Sequence, residues 1–226
     1  MDVDFLRQIP IFEDLLDDQL ENIAKLIIHR NYRKNNLILL EEDFGDTLFL
    51  IKDGSVKITR INEEGKEVIL SILRNGEFFG EMSLFDGESR SANVIAMEDS
   101  EVMIIKRGDF MEMLEKYPKI AIYLLEELAR RIRNSDRHIE SLSLSDAEHR
   151  VGSAILRLAE DLGIHKSGIV SIDDMPLQQD IANMAGTSRE TVSRMVKMLE
   201  TKRLIEREGR KLKIINYSEF VRSFSK

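Results

Sequence analysis

The chain has 226 residues, of which 42% are hydrophobic, so it can bury a sizeable core in one or two domains, and we expect two. Cysteine is absent and the formal net charge is −8, which excludes disulfides, thiolate metal sites and a cysteine nucleophile and argues against a protein that coats nucleic acid. No run approaches the roughly 18 to 20 apolar residues of a membrane span, and Asp2 and Asp4 stand in place of a basic signal sequence, so we expect a soluble, cytoplasmic protein with no membrane partner.

The first segment, residues 5–29, is predicted to form short amphipathic helices. Apolar residues recur there at helical spacing in one stripe: Leu16, Leu20, Ile23 and Ile27. Such a stripe places one face of a helix against a core.

Residues from about 37 to 106 are predicted to form short strands. Apolar or alternating runs occur at 37–40, 48–51, 56–58, 68–73, 94–96 and 102–105. Turn-forming pairs separate them, among them Asp53-Gly54, Glu64-Gly65 and Asn75-Gly76. Regularly spaced strands of this kind indicate an antiparallel sandwich or barrel, such as a jelly roll.

After Gly108 and Asp109 the helical period returns and is interrupted early at Pro118. Positions spaced alternately four and three apart form a seam that predicts a dimerisation helix: Ala121, Leu125, Leu128, Ile132, Ser135, Ile139 and Leu142. The alternative is an ordinary amphipathic helix packed on its own domain. Ser135 is polar, which at a seam position serves either register or a ligand.

Asp146 is placed to cap a further helix that continues through Leu162. We expect a domain boundary just before it. The chain is therefore predicted to consist of a strand-rich domain at 1–109, a dimerisation helix at 110–145 and a C-terminal domain at 146–226.

Residues 177–199 contain two helical patterns around Ala185-Gly186-Thr187-Ser188, with glycine where a tight interhelical turn requires it. Ser188 is placed to cap the second helix, which then projects these residues away from the core: Arg189, Glu190, Ser193, Arg194 and Lys197. Arginine, glutamate and serine read base edges in the major groove. The alternative is a solvated helix face on which Glu190 and Arg194 pair with each other.

A basic hairpin is predicted next, at residues 202–216, with a turn at Glu208-Gly209-Arg210. Cations lie near its tip: Arg207, Arg210, Lys211 and Lys213. Residues 176–226 carry 11 Lys and Arg against 6 Asp and Glu, a net charge of +5 that leaves −13 for the preceding residues. A basic hairpin after a helix-turn-helix is a wing, and its cations suit phosphate contacts.

The densest cluster of ligand-binding residue types lies at 79–92, in the strand-rich region. A glycine lets the backbone approach a ligand, a carboxylate accepts from a sugar hydroxyl, and an arginine followed by a serine holds a phosphate. By themselves these residues also fit a plain loop in which Glu81 and Arg90 pair with each other.

Gly80-Glu81, eight residues and then Arg90-Ser91-Ala92 resembles the phosphate-binding cassette of cyclic-nucleotide-binding domains. Together with residues 188–194, Ser-Arg-Glu-Thr-Val-Ser-Arg, it makes nearly the whole chain similar to the CRP/FNR family of bacterial transcription regulators. The resemblance implies an α+β homodimer with an N-terminal jelly-roll β-barrel, a long dimerisation helix and a C-terminal winged helix-turn-helix.

In cAMP-binding members the cassette glutamate holds the ribose 2′-hydroxyl, and the arginine and serine hold the cyclic phosphate; these roles fall to Glu81, Arg90 and Ser91. Hydroxyl residues of the dimer helices close over adenine, and the matching positions are Ser135 and Asp136. Asp136 departs from that pattern, and it either accepts from the adenine amino group or signals another ligand. With cAMP or a related nucleotide as effector and no covalently bound cofactor, the expected effector-binding residues are Gly80, Glu81, Met82, Ser83, Arg90, Ser91, Ser135 and Asp136.

For DNA, the resemblance implies that Arg189, Glu190 and Arg194 read base edges of a palindromic site. The Glu190-x-x-Ser193-Arg194 arrangement resembles the FNR branch, so TGA and TCA arms are expected, and RNA polymerase is a further expected partner. The expected DNA-binding residues are Gln179, Ser188, Arg189, Glu190, Thr191, Ser193, Arg194, Lys197, Arg210 and Lys211.

Other interpretations stay open. One keeps the DNA role but makes the regulator independent of a small molecule, or responsive to a cyclic dinucleotide or haem; the histidines available to iron are His29, His138, His149 and His165. Another is a cyclic-nucleotide regulatory subunit of a kinase or channel, which the helix-turn-helix argues against. We expect neither catalytic nor metal-ligating residues, because the sequence has no nucleophile–base pair, metal-ligand spacing or P-loop.

Overall fold

The computed structural model describes residues 2–225, and within that range no helix is both long and apolar enough to cross a bilayer. The chain divides into two compact units, one up to Ile132 and the other from Arg133 onward. The predicted division at 1–109, 110–145 and 146–226 stays a prediction, because it rests on a dimerisation role that a single chain does not test.

The first unit begins with short helical elements: α1 at Asp2–Leu6, a 3-10 turn at Pro10–Phe12 and α2 at Asp17–Ala24. Leu20 and Ile23 are buried as predicted, but Leu16 precedes α2 and is 66% exposed. The predicted stripe is therefore wrong at Leu16. The helical segment also ends before residue 29, because a strand begins at Ile28.

Strands and helices then follow with these bounds: β1 Ile28–Tyr32, β2 Leu37–Leu39, β3 Thr47–Asp53, β4 Ser55–Ile61, β5 Glu67–Arg74, β6 Phe78–Phe79, α3 Met82–Asp86, β7 Asn93–Ala96, β8 Ser100–Lys106, α4 Arg107–Lys116 and α5 Pro118–Leu144. All six predicted strands are confirmed, as β2, β3, β4, β5, β7 and β8. Strands β1 and β6 were not predicted. Nearly all residues of β1 are exposed, so its side chains do not alternate between apolar and polar, and β6 has only two residues, too few to form a pattern.

The strands form two antiparallel sheets that pack as the predicted jelly roll, with strand orders β1-β8-β3-β6 and β2-β7-β4-β5. Residues from both sheets share one core: Phe49, Ile51, Val56, Leu73, Phe79, Val94, Val102 and Ile104. The alternate residues of β3, Leu48 and Leu50, belong to a second core that the sheet forms with the helices. The period-two pattern of β3 thus joins the sandwich to the helical layer.

Helix α5 presents two different apolar faces. Ile120 and Leu124 are buried in the core of the first unit, and Leu128 packs partly against it. Four residues of the predicted seam are instead between 43% and 66% exposed: Leu125, Ile132, Ile139 and Leu142. The seam is therefore largely distinct from the face that packs on the chain's own core.

The second unit contains the following elements after the end of α5: α6 Ala147–Leu162, β9 Ile164–Lys166, β10 Ile169–Ile172, α7 Gln178–Ala185, α8 Arg189–Thr201, β11 Ile205–Glu208, β12 Lys211–Ile214 and α9 Tyr217–Phe224. Both predicted caps are confirmed. The Asp146 side chain accepts from the His149 amide at 2.7 Å and the Ser188 hydroxyl accepts from the Thr191 amide at 3.2 Å. Gly186 ends α7 with φ of 57°, a left-handed conformation that favours glycine.

A four-stranded sheet of order β11-β12-β10-β9 completes this unit, and its β11–β12 hairpin is the predicted wing. Helix α9 was not predicted, and it packs on α6. A Cβ at Gly152 of α6 would lie 2.2 Å from the Phe224 ring of α9, so the absence of a side chain at Gly152 is what admits α9.

Candidate functional sites

The residues of the cassette converge on the side chain of Arg90. Gly80 follows β6, Ser83 lies in α3 and Arg90 precedes β7. The amide of Arg90 donates to the Asp43 carbonyl at 2.8 Å, and its carbonyl accepts from the Glu42 amide at 2.9 Å. The loop between β2 and β3 therefore fixes the backbone from which the guanidinium extends.

The Arg90 guanidinium is enclosed by the protein, and the residue is 5% exposed. Its Nη1 donates to the Gly80 carbonyl at 2.6 Å and to Ser83 Oγ at 2.8 Å. Its Nη2 donates to the Thr47 carbonyl at 3.0 Å and to Thr47 Oγ1 at 3.1 Å. Burial lowers the pKa of Arg90, against the opposing effect of the Asp46 carboxylate, but the side chain stays cationic because arginine is not deprotonated in proteins.

Two glycines make room for this side chain. A Cβ at Gly45 would lie 2.2 Å from Arg90 Nε, and a Cβ at Gly80 would lie 2.9 Å from Nη1. Gly80 also has φ of 80°. A larger residue at either position would displace the guanidinium, so the glycines belong to the site.

Glu81 pairs with Arg131 of α5 and not with Arg90. The residue is 5% exposed, and its Oε1 accepts from Arg131 Nη1 at 3.1 Å. Arg131 also donates to the Phe78 carbonyl at 2.8 Å and to Glu127 Oε1 at 3.0 Å. Two buried carboxylates thus hold one arginine, and through it they connect the cassette to α5.

The remaining expected effector-binding residues differ in exposure. Ser91 is exposed and its Oγ lies 3.5 Å from the sulfur of Met82, which is 51% exposed. Ser135 and Asp136 belong to the second unit, where both are exposed on α5. Within the first unit, the structure brings together Gly80, Glu81, Ser83 and Arg90.

The four histidines lie in four different environments. His29 contacts Glu101, His138 contacts Arg157, His149 lies against Phe224 and His165 against Tyr217. Among residues 2–225, no three side chains of His, Asp or Glu form a group suited to a metal ion.

The second candidate site is the exposed face of α8. Its buried face carries Val192, Met195, Val196 and Leu199. Seven of the expected DNA-binding residues on α7, at the cap and on α8 are exposed: Gln179, Ser188, Arg189, Glu190, Ser193, Arg194 and Lys197. Thr191 is half-buried beside Ser188. The residue types that read base edges therefore share one accessible surface of the helix.

Three of the expected DNA-binding cations pair with carboxylates. Arg194 Nε lies 3.4 Å from Oε1 of Glu148, at the start of α6, so the pairing with Glu190 suggested by the sequence is wrong. The other two pairs involve residues that follow β10: Arg210 with Asp174 at 2.8 Å and Lys211 with Asp173 at 3.3 Å. The charge of these expected DNA-binding residues is thus partly neutralised by acidic residues of the same unit.

The sequence analysis did not identify three residues of the first site: Thr47, Glu127 and Arg131. The contact of Glu127 with Arg131 is visible as an i, i+4 spacing of opposite charges. The contacts of Arg131 with Glu81 and of Arg90 with Thr47 span 50 and 43 residues. No local spacing reveals such contacts, because they depend on how the strands and helices pack.

Comparison with known proteins identifies both parts of the chain. Residues 29–117 match the model of the cyclic nucleotide-binding domain, and residues 149–222 match the Crp-like helix-turn-helix domain. A cyclic AMP receptor protein of Thermus thermophilus is 34% identical over 84% of this chain and 85% of its own length. The cAMP-activated global transcriptional regulator CRP of Haemophilus influenzae is 35% identical over 81% of both chains.

The fold also matches a solved structure. FixK2 from Bradyrhizobium japonicum superposes with a TM-score of 0.76 at 23% identity, over 87% of this chain and 96% of the other. At that identity the likeness concerns the fold alone.

Proposed function

This chain belongs to the CRP/FNR family of DNA-binding transcription regulators, and we propose that a cyclic nucleotide, with cAMP as the first candidate, controls its affinity for DNA. The similarity to proteins named as cAMP receptors and cAMP-activated regulators supports cAMP in particular.

The observation that carries the proposal is the burial of Glu81 and Arg90, each 5% exposed, beside the Gly80 backbone. Buried charges are costly unless they are paired. The acceptors that hold the terminal nitrogens of Arg90 are all uncharged, so a cyclic phosphate would supply the opposite charge, and the ribose would join Arg131 as a partner of Glu81. The phosphate of the nucleotide accepts from Arg90 and Ser91, and its ribose hydroxyl donates to Glu81. Ser135 and Asp136 are the residues that we assign to the adenine.

We further propose that the regulator is a homodimer joined along α5. The exposed seam residues Leu125, Ile132 and Ile139 supply the apolar surface, and their spacing suits a second helix of the same kind. Two recognition helices related by a two-fold axis would read a palindrome whose half-sites lie one DNA turn, roughly 34 Å, apart.

Nucleotide and DNA binding would be coupled through α5. Because Glu81 also holds Arg131, a ligand that engages Glu81 acts on the same helix that carries the seam. A change in the relative placement of the two α5 helices would bias the recognition helices toward the DNA spacing. Nucleotide and DNA would then raise each other's affinity by the same factor.

On DNA, we assign base contacts to Arg189, Glu190 and Arg194, with TGA and TCA as the expected arms. The exposed side of α8 supports this assignment. RNA polymerase is the partner that a regulator of this family would recruit or block.

A second candidate is a regulator that works without a small molecule, and one observation favours it. The four terminal N–H groups of Arg90 are all donated to protein acceptors. In this arrangement no terminal N–H of the guanidinium needs a ligand to be satisfied.

Calorimetric titration with cAMP tests the proposal. Wild type should bind, Glu81→Gln should bind more weakly, and Arg90→Leu should not bind. Because Arg90 is buried, thermal unfolding of each variant must accompany the titration, and Glu63→Gln in the exposed β4–β5 turn is the control. Absence of binding by folded wild type would favour the second candidate.

A further inference from the structure

The hydrogen bonds of Arg90 leave no terminal N–H for a ligand. Each terminal nitrogen carries two hydrogens, and each donates to two acceptors, at 2.6 and 2.8 Å for Nη1 and at 3.0 and 3.1 Å for Nη2. A phosphate bound by an arginine in bidentate fashion takes two N–H groups, at least one of them terminal. A phosphate bound in this way must therefore displace at least one acceptor that the protein supplies.

Two of the four acceptors are backbone carbonyls, of Gly80 and Thr47, and two are hydroxyls, of Thr47 and Ser83. The Ser83 hydroxyl donates its own hydrogen to the Gly45 carbonyl at 3.0 Å, which orients its lone pairs toward Arg90. Residue 83 is 6% exposed, so water competes little for this bond. The Ser83 hydroxyl is thus a fixed acceptor and not an incidental surface contact.

The cage formed by Thr47, Gly80 and Ser83 comes from three separate elements. Thr47 begins β3, Gly80 follows β6 and Ser83 belongs to α3. The Phe49 ring lies 5.9 Å below the guanidinium. All these elements are fixed by the packing of the sandwich. The guanidinium can therefore leave the cage only by rotation of the Arg90 side chain, while the sandwich stays folded.

We propose that the Thr47 and Ser83 hydroxyls set the effector affinity of this domain, because they compete with the ligand's phosphate for Arg90. This inference rests on the proposed function and goes beyond it. It assigns to Ser83 and Thr47 a role opposite to that of ligand contacts, since removing them would tighten binding.

The test compares Ser83→Ala, Thr47→Val and the double variant with wild type in calorimetric titrations with cAMP. Each single change should tighten binding roughly three- to tenfold, the factor that corresponds to one net hydrogen bond. Thr59→Val is the matched control, because the Thr59 hydroxyl is buried without a hydrogen-bond partner among the described residues, and it should leave the affinity unchanged. Variants that bind more weakly than wild type, or equally well, overturn the inference.

The same titrations separate this inference from the proposed function. If wild type does not bind cAMP but the folded double variant does, control of wild type by cAMP is contradicted and competition by the two hydroxyls is supported. If wild type binds and no variant binds more tightly, control by cAMP is supported and competition by the hydroxyls is contradicted. If neither wild type nor the folded double variant binds, both proposals are contradicted.

A measurement without nucleotide checks the cage itself. In ¹⁵N-labelled wild type, the terminal N–H groups of Arg90 should give separate, slowly exchanging signals, because four hydrogen bonds hinder rotation of the guanidinium. In the double variant those signals should merge or broaden. Freely rotating Arg90 groups in wild type would overturn the inference.

Discussion

At the scale of single residues, one residue of the loop that holds Arg90 has a backbone conformation that residues with a Cβ disfavour. Glu42 has φ of 69°, in the left-handed region, where a residue with a Cβ is strained by roughly 1 to 2 kcal/mol. The conformation persists because the Glu42 amide donates to the Arg90 carbonyl. The fold therefore tolerates local strain in order to fix the cassette.

Replacing Glu42 with glycine should raise the free energy of unfolding. Glycine relieves the left-handed strain but gains freedom in the unfolded chain, so the net increase should be about 0.5 to 1 kcal/mol. Urea denaturation measures it. Glu63→Gly, an exposed residue whose φ is not positive, should not stabilise, and an equal effect of both substitutions would refute the strain at Glu42.

His138 should make the stability of the second unit depend on pH. Burial, and then the charge of Arg157, lower the pKa of His138 from 6.5 to about 4, and its Nε2 is buried without a partner among the described residues. The unfolded chain takes up a proton near pH 6.5 and the folded chain only near pH 4. The stability due to neutral His138 is thus complete above about pH 6.5 and is lost as the pH falls toward 4, by roughly 2 to 3 kcal/mol.

Denaturation curves between pH 7.5 and 4.5 measure this loss. His138→Gln should unfold with a shallower pH dependence than wild type, whereas His165→Gln, on the exposed strand β9, should follow wild type. Identical slopes for wild type and His138→Gln would show that His138 titrates normally in the folded chain.

At the scale of elements, the wing has fewer available cations than its sequence suggests. Asp173 and Asp174 follow β10 and pair with Lys211 and Arg210 of the hairpin. All four side chains are at least half exposed, so each pair contributes little to stability. We therefore expect the two aspartates to act mainly on the charge that the hairpin presents to DNA.

Asp173→Asn combined with Asp174→Asn should strengthen binding to random-sequence DNA. Releasing two cations to phosphate should raise affinity several-fold at low salt and steepen the slope of log K against log salt by up to about 2. Fluorescence anisotropy over a range of salt concentrations measures both. Glu63→Gln with Glu64→Gln, an equal charge change in the first unit, should have no effect; a wing variant that behaves like this control would show that the hairpin does not meet phosphate.

The elements that the sequence predicted are those whose apolar residues recur with the period of a strand or a helix. The side chains of β3 alternate between two cores, those of the helix-turn-helix alternate between a core and solvent, and all these elements were found. Strand β1 and helix α9 were missed because the first is almost wholly exposed and the second depends on the gap at Gly152. The cassette residues followed from a family resemblance, whereas their actual partners, Thr47 and Arg131, depend on contacts between distant segments.

At the scale of the whole molecule, the proposed function requires two chains. The seam of α5 exposes large apolar side chains at heptad-like spacing, and such a surface is typical of a protein–protein contact. A second copy would bury them and bring two recognition helices together.

Ile139→Glu should therefore convert the dimer to a monomer, because it places a charge in the apolar seam. Sedimentation velocity measures the mass. Leu144→Glu is the matched control, since Leu144 is 80% exposed on the same helix but lies outside the seam. A dimeric Ile139→Glu protein, or a monomeric control, would contradict the assignment of the interface.

The most direct test of the whole account is the affinity of the purified protein for a palindromic duplex with TGA and TCA arms, measured by fluorescence anisotropy with and without saturating cAMP. The account predicts that cAMP tightens binding at least tenfold for wild type and leaves it unchanged for Arg90→Leu. Equal affinity of wild type in the presence and absence of cAMP would contradict control by this nucleotide.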